Sequence, residues 1–258
     1  MIVARDLTVR RGGRDVVRDA GFALRPGELT AICGPNGAGK SSLLAALAAL
    51  LPFEGEALLA ERPIAAIPAR ERARAIGFLP QRAEAAWDVS VRTLVELGRL
   101  PWRSVPGRLA RASREADRAA VDAALAAMEL ADLADRPVSN LSGGERARAF
   151  MARVLAGEPD WILADEPLAS LDLAHQQRLA ACLADQARRG RGVVVVMHDL
   201  AAAMNHADRV LVLDRGRVVG DGAPLSTLTE ALIGRVWQVE AHWLGEPGRR
   251  ALAFGQGA

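Results

Sequence analysis

The sequence predicts an α/β fold with a mostly parallel sheet, an antiparallel β region at the N-terminus and an inserted α-helical lobe. Three observations carry this. Short, uninterrupted apolar runs, Leu29–Cys33, Trp161–Ala164 and Val193–Met197, are what parallel strands buried on both faces require. The first of them enters a glycine-rich turn that is followed by helix-forming residues, so it reads strand, loop, helix. Between the first and second runs lies an Ala-, Arg- and Glu-rich stretch with apolar residues at Leu109, Val121, Leu125 and Met128, the spacing of an amphipathic helix.

Taken in order, the first 25 residues carry short β-like runs around Gly12-Gly13, a turn signal. Leu29–Cys33 leads through Gly34–Gly39 into a helix expected over Lys40–Leu51. The amphipathic segment Arg108–Leu130 belongs to the helical lobe, and a further helix is expected from Gly143 to about Ala156. Arg209–Val219 is again β-like, broken by Asp-Arg-Gly. Val239–Leu244 and Arg250–Phe254 flank Gly-Glu-Pro-Gly, which predicts a terminal hairpin. The whole reads as one domain, residues 1–258, with a nucleotide-binding core at 1–80 and 158–258 and the helical lobe at 81–157.

Composition narrows the function. The 258 residues suffice for a substantial core. Half of them are hydrophobic, yet the uncharged stretch after the glycine-rich turn, Ser41 to Phe53, has only 13 residues, too few to span a bilayer. The start, Met-Ile-Val-Ala-Arg-Asp-Leu, lacks the pattern of a secretory signal, so a cytoplasmic protein is expected. Two isolated cysteines, Cys33 and Cys182, in apolar surroundings speak for buried free thiols and against a disulfide framework or a zinc site. The 33 basic and 31 acidic residues are interspersed, which argues against a nucleic-acid groove. Among the 33 basic residues the single lysine is Lys40. An arginine-biased chain keeps lysine where a compact point charge is needed and a broad guanidinium fork is not tolerated.

That lysine sits in Gly34-Pro35-Asn36-Gly37-Ala38-Gly39-Lys40-Ser41, the phosphate-binding loop pattern, followed by Ser42. Glycines let backbone N–H groups turn inward around phosphates, and the helix N-terminus adds positive potential. Lys40 is expected to reach the β- and γ-phosphates and the Ser41 hydroxyl to ligate Mg²⁺. A glycine-rich turn with an incidental lysine is the bland alternative, and the solitary Lys40 speaks against it. Asp165-Glu166 follows an apolar run, at a strand's carboxyl end, where ligands bind in open α/β sheets. Asp165 can hold Mg²⁺, and Glu166 can orient a water attacking the γ-phosphate. His198 ends the valine run and would face the same phosphate. His175, His206 and His242 lack such a setting and read as surface or packing residues. Leu141-Ser142-Gly143-Gly144-Glu145 carries a capping-box pattern, Ser142 with Glu145, and two glycines that are costly in a first helical turn unless a ligand approaches closely. A second anion site is implied.

With these residues together, the chain resembles the nucleotide-binding subunits of ABC transporters. Gly34 to Ser41, Gln81, Leu141 to Glu145, Asp165-Glu166, Asp172 and His198 occur in that family's order and spacing, over nearly the whole chain. The resemblance implies a phosphate-loop NTPase core that uses ATP and Mg²⁺. It implies that Ser142, Gly143 and Gly144 meet the γ-phosphate held by a second copy, and that Asp172 crosses that dimer interface. Gln81 looks like the hinge glutamine that contacts Mg²⁺. The implied partners are a second copy of the chain, separate transmembrane permease subunits and, indirectly, an extracytoplasmic substrate-binding protein, with the chain peripheral at the cytoplasmic face of the membrane. Trp87 and Trp102 are candidate contacts to the permease, with burial in the helical lobe the equal alternative. Leu94-Val-Glu-Leu-Gly-Arg99-Leu-Pro101 and the Gly-Asp-Gly-Ala-Pro segment ending at Pro224 resemble importers of ferric siderophores, haem and cobalamin. One departure stands out: the family has an aromatic residue, often Tyr, about where Arg11 sits, and this chain has no tyrosine. Two other classes compete: a soluble ABC ATPase, which would carry coiled-coil insertions or two cassettes, and a phosphate-loop kinase, which would lack the Leu-Ser-Gly-Gly-Glu segment.

Overall fold

The computed structural model describes residues 1–83, 88–103, 110–169 and 171–255. In chain order the elements are β1 (Ile2–Arg11), β2 (Arg14–Leu24), β3 (Leu29–Cys33), α1 (Lys40–Leu47), β4 (Glu54–Leu59), β5 (Arg62–Pro63), α2 (Ala69–Ala75) and β6 (Ile76–Leu79). There follow α3 (Val91–Glu96), a 3-10 turn at Leu97–Trp102, α4 (Ala110–Ala127), α5 (Gly143–Ala156), β7 (Trp161–Asp165) and α6 (Leu173–Arg188). The chain closes with β8 (Gly192–Val196), α7 (Leu200–His206), β9 (Arg209–Asp214), β10 (Arg217–Gly222), α8 (Pro224–Thr227), α9 (Glu230–Trp237) and the hairpin β11 (Ala241–Leu244) and β12 (Ala251–Phe254).

The central sheet has the order β10-β9-β3-β8-β7-β6, parallel throughout except for the β9–β10 hairpin. Its inner strands β3, β7 and β8 are buried at every position, which is why their sequences show no polar alternation. The two faces feed two cores. Ala31, Ile162, Ala164, Val193 and Val195 pack towards α3–α6, while Ile32, Leu163, Val194 and Val196 pack towards α1 and the N-terminal sheet. That N-terminal sheet is antiparallel, in the order β2-β1-β4-β5. Its strands β1 and β2, ten and eleven residues long, are more continuous than the short runs the sequence suggests.

The helix after the glycine-rich turn stops at Leu47, not Leu51, because Ala49 adopts a left-handed backbone (φ 52°) and Pro52 follows. The long amphipathic segment is helical over Ala110–Ala127, ending before the expected Leu130; Arg108 and Leu109 lie outside the described residues, and Val121, Leu125 and Met128 are buried as their spacing requires. The terminal hairpin forms, beginning at Ala241 instead of Val239. Cys33 is a buried free thiol whose pKa burial pushes up to about 12, and Cys182 is half-buried and also free. No described helix is long and apolar enough to cross a membrane.

Candidate functional site

Parallel strands put all their carboxyl ends on one edge of the sheet, and the polar clusters of the sequence collect there. The turn Gly34–Gly39 leaves β3, Asp165 and Glu166 end β7, His198 follows β8, and Gln81 follows β6. In the phosphate-binding turn Asn36 and Gly37 form an exposed tip, whereas Ala38 is buried against the N-terminal core. Gly39 takes φ 100° as the residue before α1, and a Cβ there would fall 2.2 Å from the Val16 carbonyl oxygen. Only glycine satisfies both the dihedral and the contact.

Lys40 and Ser41 open α1. The Lys40 side chain is buried, and its Nζ donates to the carbonyls of Gly34 at 2.8 Å and Pro35 at 2.9 Å, so the ammonium lies inside the turn. Burial lowers its pKa, while Glu166 and Asp165 act in the opposite direction. Ser41 Oγ donates to Asp165 Oδ1 at 3.1 Å, linking residues 124 positions apart. Asp165 is buried, and desolvation raises its pKa against the opposing hydrogen bond from Ser41. Next to it Glu166 adopts a left-handed backbone (φ 53°), the kind of strain that persists where surrounding structure fixes a functional group. Its Oε1 lies 2.5 Å from His198 Nε2. Gln81, Asp165, Glu166 and Gly143 line one cleft of about 310 Å³, with Phe150 at its apolar wall.

Ser142 and Asp172 are the expected site residues that this chain does not join to its own phosphate turn. Ser142 caps α5 with the full capping box: Glu145 N donates to Ser142 Oγ at 3.2 Å and Ser142 N donates to Glu145 Oε2 at 2.7 Å. Asp172 caps α6, accepting from His175 N at 2.9 Å. Both are exposed, as is Gly143, where a Cβ would meet nothing within 4 Å. Among the described residues their hydrogen bonds stay within the first turns of α5 and α6.

Sequence reasoning missed the partner of Asp172, the half-buried His175, whose Nδ1 lies 2.8 Å from both carboxylate oxygens. The signal was available in the i, i+3 spacing. Arg11 is exposed at the tip of the β1–β2 hairpin beside Gly12 and Gly13, paired in register with Arg14, as a solvated arginine would be. Trp102 is half-buried. Its indole Nε1 donates to the Gly157 carbonyl at 2.8 Å, and the guanidinium groups of Arg74 and Arg99 lie 4.8 and 5.2 Å from its ring centroid. Trp87 lies outside the described residues.

Known proteins match this geometry. The family model for ABC transporters matches residues 17–169, more than half of the chain. The hemin import ATP-binding protein HmuV of Nocardia farcinica is 45% identical over 250 residues, covering 95% of this chain and 85% of its own. A putative metal-chelate type ABC transporter in an inward-facing conformation superposes with a TM-score of 0.79 over 98% of this chain and 96% of that one, at 24% identity, a likeness of fold. A dimeric bacterial ABC transporter cassette superposes with a TM-score of 0.75 at 26% identity, covering 87% of this chain and 99% of that one. With a phosphate turn, paired carboxylates and a histidine on one sheet edge, and these relatives along its length, the chain belongs to the ABC transporter family, as one of its ATP-binding, ATP-hydrolysing subunits.

Proposed function

We propose that the chain drives import of haem or a related iron chelate by hydrolysing ATP between two copies of itself docked on separate permease subunits at the cytoplasmic face of the membrane. The observation that carries the ATPase assignment is the pairing of Ser41 with Asp165 and of Glu166 with His198 on the edge where Lys40 closes the phosphate turn. The choice of haem rests on the hemin import role for which the Nocardia relative is named, and an extracytoplasmic substrate-binding protein completes the assembly in this reading.

In this reading the backbone of Gly34 to Gly39 cradles the phosphates and Lys40 exchanges its carbonyl partners for β- and γ-phosphate oxygens. Ser42, buried one position further into α1, belongs to the same nucleotide-binding segment. Ser41, Asp165 and Gln81 offer oxygen donors suited to Mg²⁺, and the buried Asp165 carboxylate, costly to ionise alone, fits a cation beside it. Bound there, Mg²⁺ would neutralise charge developing on the transferred phosphoryl group. Glu166 orients the attacking water and takes up its proton, and His198, within 2.5 Å, fixes the carboxylate and meets the γ-phosphate. Ser142 and Gly143, exposed at the N-terminus of α5, and the half-buried Gly144 present N–H groups to the phosphate of the second copy, with Asp172 across the interface. The division into a core at 1–80 and 158–258 and a helical lobe at 81–157 belongs to the same proposal.

Glu166→Gln tests it. The amide keeps the shape but cannot accept the water's proton, so turnover falls about 10²- to 10⁴-fold while ATP still binds. Size-exclusion chromatography with Mg-ATP then yields a trapped dimer. A variant that elutes as a monomer and turns over like the wild type overturns the assignment. Haem uptake by vesicles holding the chain with its permease tests the substrate, and uptake of another chelate in its place refutes that part alone.

A further inference from the structure

Arg99 is a buried arginine in a part of the molecule remote in sequence from every phosphate-binding residue. It sits in the 3-10 turn Leu97–Trp102, and its guanidinium holds three elements at once. Nε donates to Asp117 Oδ1 of α4 at 2.8 Å; Nη1 donates to the Ala156 carbonyl of α5 at 2.9 Å and to Glu158 Oε2 in the connection to β7 at 2.7 Å. Trp102 adds its N–H to the Gly157 carbonyl. The last carbonyls of a helix have no partner within it, and a cation there is favoured by the helix dipole. The turn therefore caps the C-terminus of α5 from outside. It also fits closely, since a Cβ on Gly98 would fall 2.1 Å from the Arg153 carbonyl oxygen.

On its other side the same turn is held by α2. Arg70 and Arg74 both donate to the Pro101 carbonyl at 2.8 Å, Arg70 also reaches the Arg103 carbonyl, and the Arg74 guanidinium lies 4.8 Å from the Trp102 ring centroid. The opposite end of α5 is Ser142 with Gly143 and Gly144. Fourteen helical residues make a rod about 21 Å long, so fixing one end fixes the other. The exposed side of the turn presents Leu97 and Leu100.

We propose that Arg99 is a positioning residue for ATP hydrolysis: through α5 it sets where Ser142, Gly143 and Gly144 stand, so that the turn at Leu97–Arg103 and the phosphate-meeting end of α5 move as one body. The proposal rests on the two-copy reading of the site given above. A permease segment pressing on Leu97 and Leu100 would then displace the Ser142 end directly.

The test separates binding from turnover. Arg99→Leu removes all three polar contacts, and Arg99→Lys keeps a charge that cannot reach Asp117, Ala156 and Glu158 together. Trp102→Phe keeps an aromatic ring but removes the N–H together with the pyrrole half of the indole. Each is made in the wild type and in Glu166→Gln. Fluorescent ATP titration is expected to give affinities within about twofold of the parent, since the phosphate turn is untouched, whereas a displacement of α5 lowers kcat about tenfold or more in Arg99→Leu. Trp102→Phe loses roughly threefold, and Arg99→Lys falls between. In Glu166→Gln the ATP-trapped dimer weakens in the same order. Should Arg99→Leu fail to fold, Arg99→Lys and Trp102→Phe decide the matter. Parental kcat and parental dimer trapping in the folded variants overturn the role of Arg99. Failure of Glu166→Gln itself to trap a dimer instead overturns the two-copy reading on which it rests.

Discussion

Gly39→Ala offers a test of the phosphate turn whose size follows from coordinates. The glycine has φ 100°, and an added Cβ would sit 2.2 Å from Val16 O and 3.2 Å from Val17 Cγ2. A carbon resting against a carbonyl oxygen settles near about 3.3 Å, so one side must give by about 1 Å. Strand β2 cannot give easily. Val17 is fully buried, and Arg18 N donates to the Gly216 carbonyl at 2.7 Å. The phosphate turn moves instead. The left-handed backbone costs an alanine about 1–2 kcal/mol, and relieving the contact adds about 1–3 kcal/mol. For a chain of this size the sum of about 2–5 kcal/mol lowers Tm by roughly 4–20 °C. A displacement of about 1 Å in groups that cradle phosphate costs on the order of 10² in function. Gly37→Ala is the control. It has φ 79° but nothing within 4 Å of the added carbon, so only the dihedral cost of about 1–2 kcal/mol applies. Thermal melts and nucleotide titrations of both variants give the answer, and equal losses in the two would refute the contact as the cause.

Lys40→Arg keeps the charge but asks a planar fork to occupy the space between the Gly34 and Pro35 carbonyls; nucleotide affinity should fall about tenfold or more, and an unchanged titration would show that the turn accommodates it. Asp165 binds its proton more tightly in the folded chain than in the unfolded one, because burial disfavours the carboxylate. Its ionisation therefore costs stability, and the cost grows as pH rises from the ordinary aspartate range through the raised folded value. Melts without added nucleotide should find Asp165→Asn more stable than wild type at pH 7, with the gain vanishing towards pH 4; a gain independent of pH would contradict this. Arg11 leaves no aromatic platform at the β1–β2 tip, so the wild type should use GTP nearly as well as ATP. Stacking is worth about 1–3 kcal/mol, and Arg11→Tyr should tighten nucleotide binding towards the lower end of roughly 5- to 150-fold without changing saturated turnover. Strong ATP preference in the wild type with no gain in the variant would place the base elsewhere.

The groups gathered on the carboxyl edge of the sheet were legible because each is announced locally. A phosphate turn needs its glycines and its lysine within eight residues, and a strand end shows as an apolar run stopping at a charge. The pairings were not legible. Ser41 meets Asp165 only because β8 separates β3 from β7 and α1 crosses the sheet, and strand order leaves no trace in a local pattern. Arg99 showed only as part of the Leu94–Pro101 run, and nothing marked it for burial in a chain where every basic residue but Lys40 is an arginine. Its burial depends on Asp117 and Glu158, reached by chain separations of 18 and 59. Trp102 was ambiguous for a related reason, since an aromatic in a loop reads as a contact or as packing until the carbonyl that takes its N–H is in place.

In the proposed reading, four of the groups aimed at nucleotide already have protein partners in this structure. Lys40 is held by two carbonyls, Ser41 by Asp165, Glu166 by His198, and Ser142 by Glu145. Binding on this edge is then an exchange of hydrogen bonds, worth only the difference between old partners and new, and because each of these pairs includes an ionisable group the bonds given up are themselves worth about 1.5–3 kcal/mol each. The large gains are kept for contacts that no single chain can satisfy internally. Those are the N–H groups of the exposed Gly143 and the half-buried Gly144 in the first turn of α5, where the helix end favours an anion. Affinity spread thinly over the phosphate turn and concentrated at the first turn of α5 makes closure of two copies the step that stabilises bound ATP most. It follows that Ser142→Ala combined with Gly143→Val in the Glu166→Gln background should leave monomer binding within about threefold of the parent and abolish the trapped dimer, since capping and close approach are lost while the turn is intact. Loss of monomer binding in that variant, measured by titration below the dimerisation concentration, would mean that α5 supports the phosphate turn of its own chain and that the two sites are not separate.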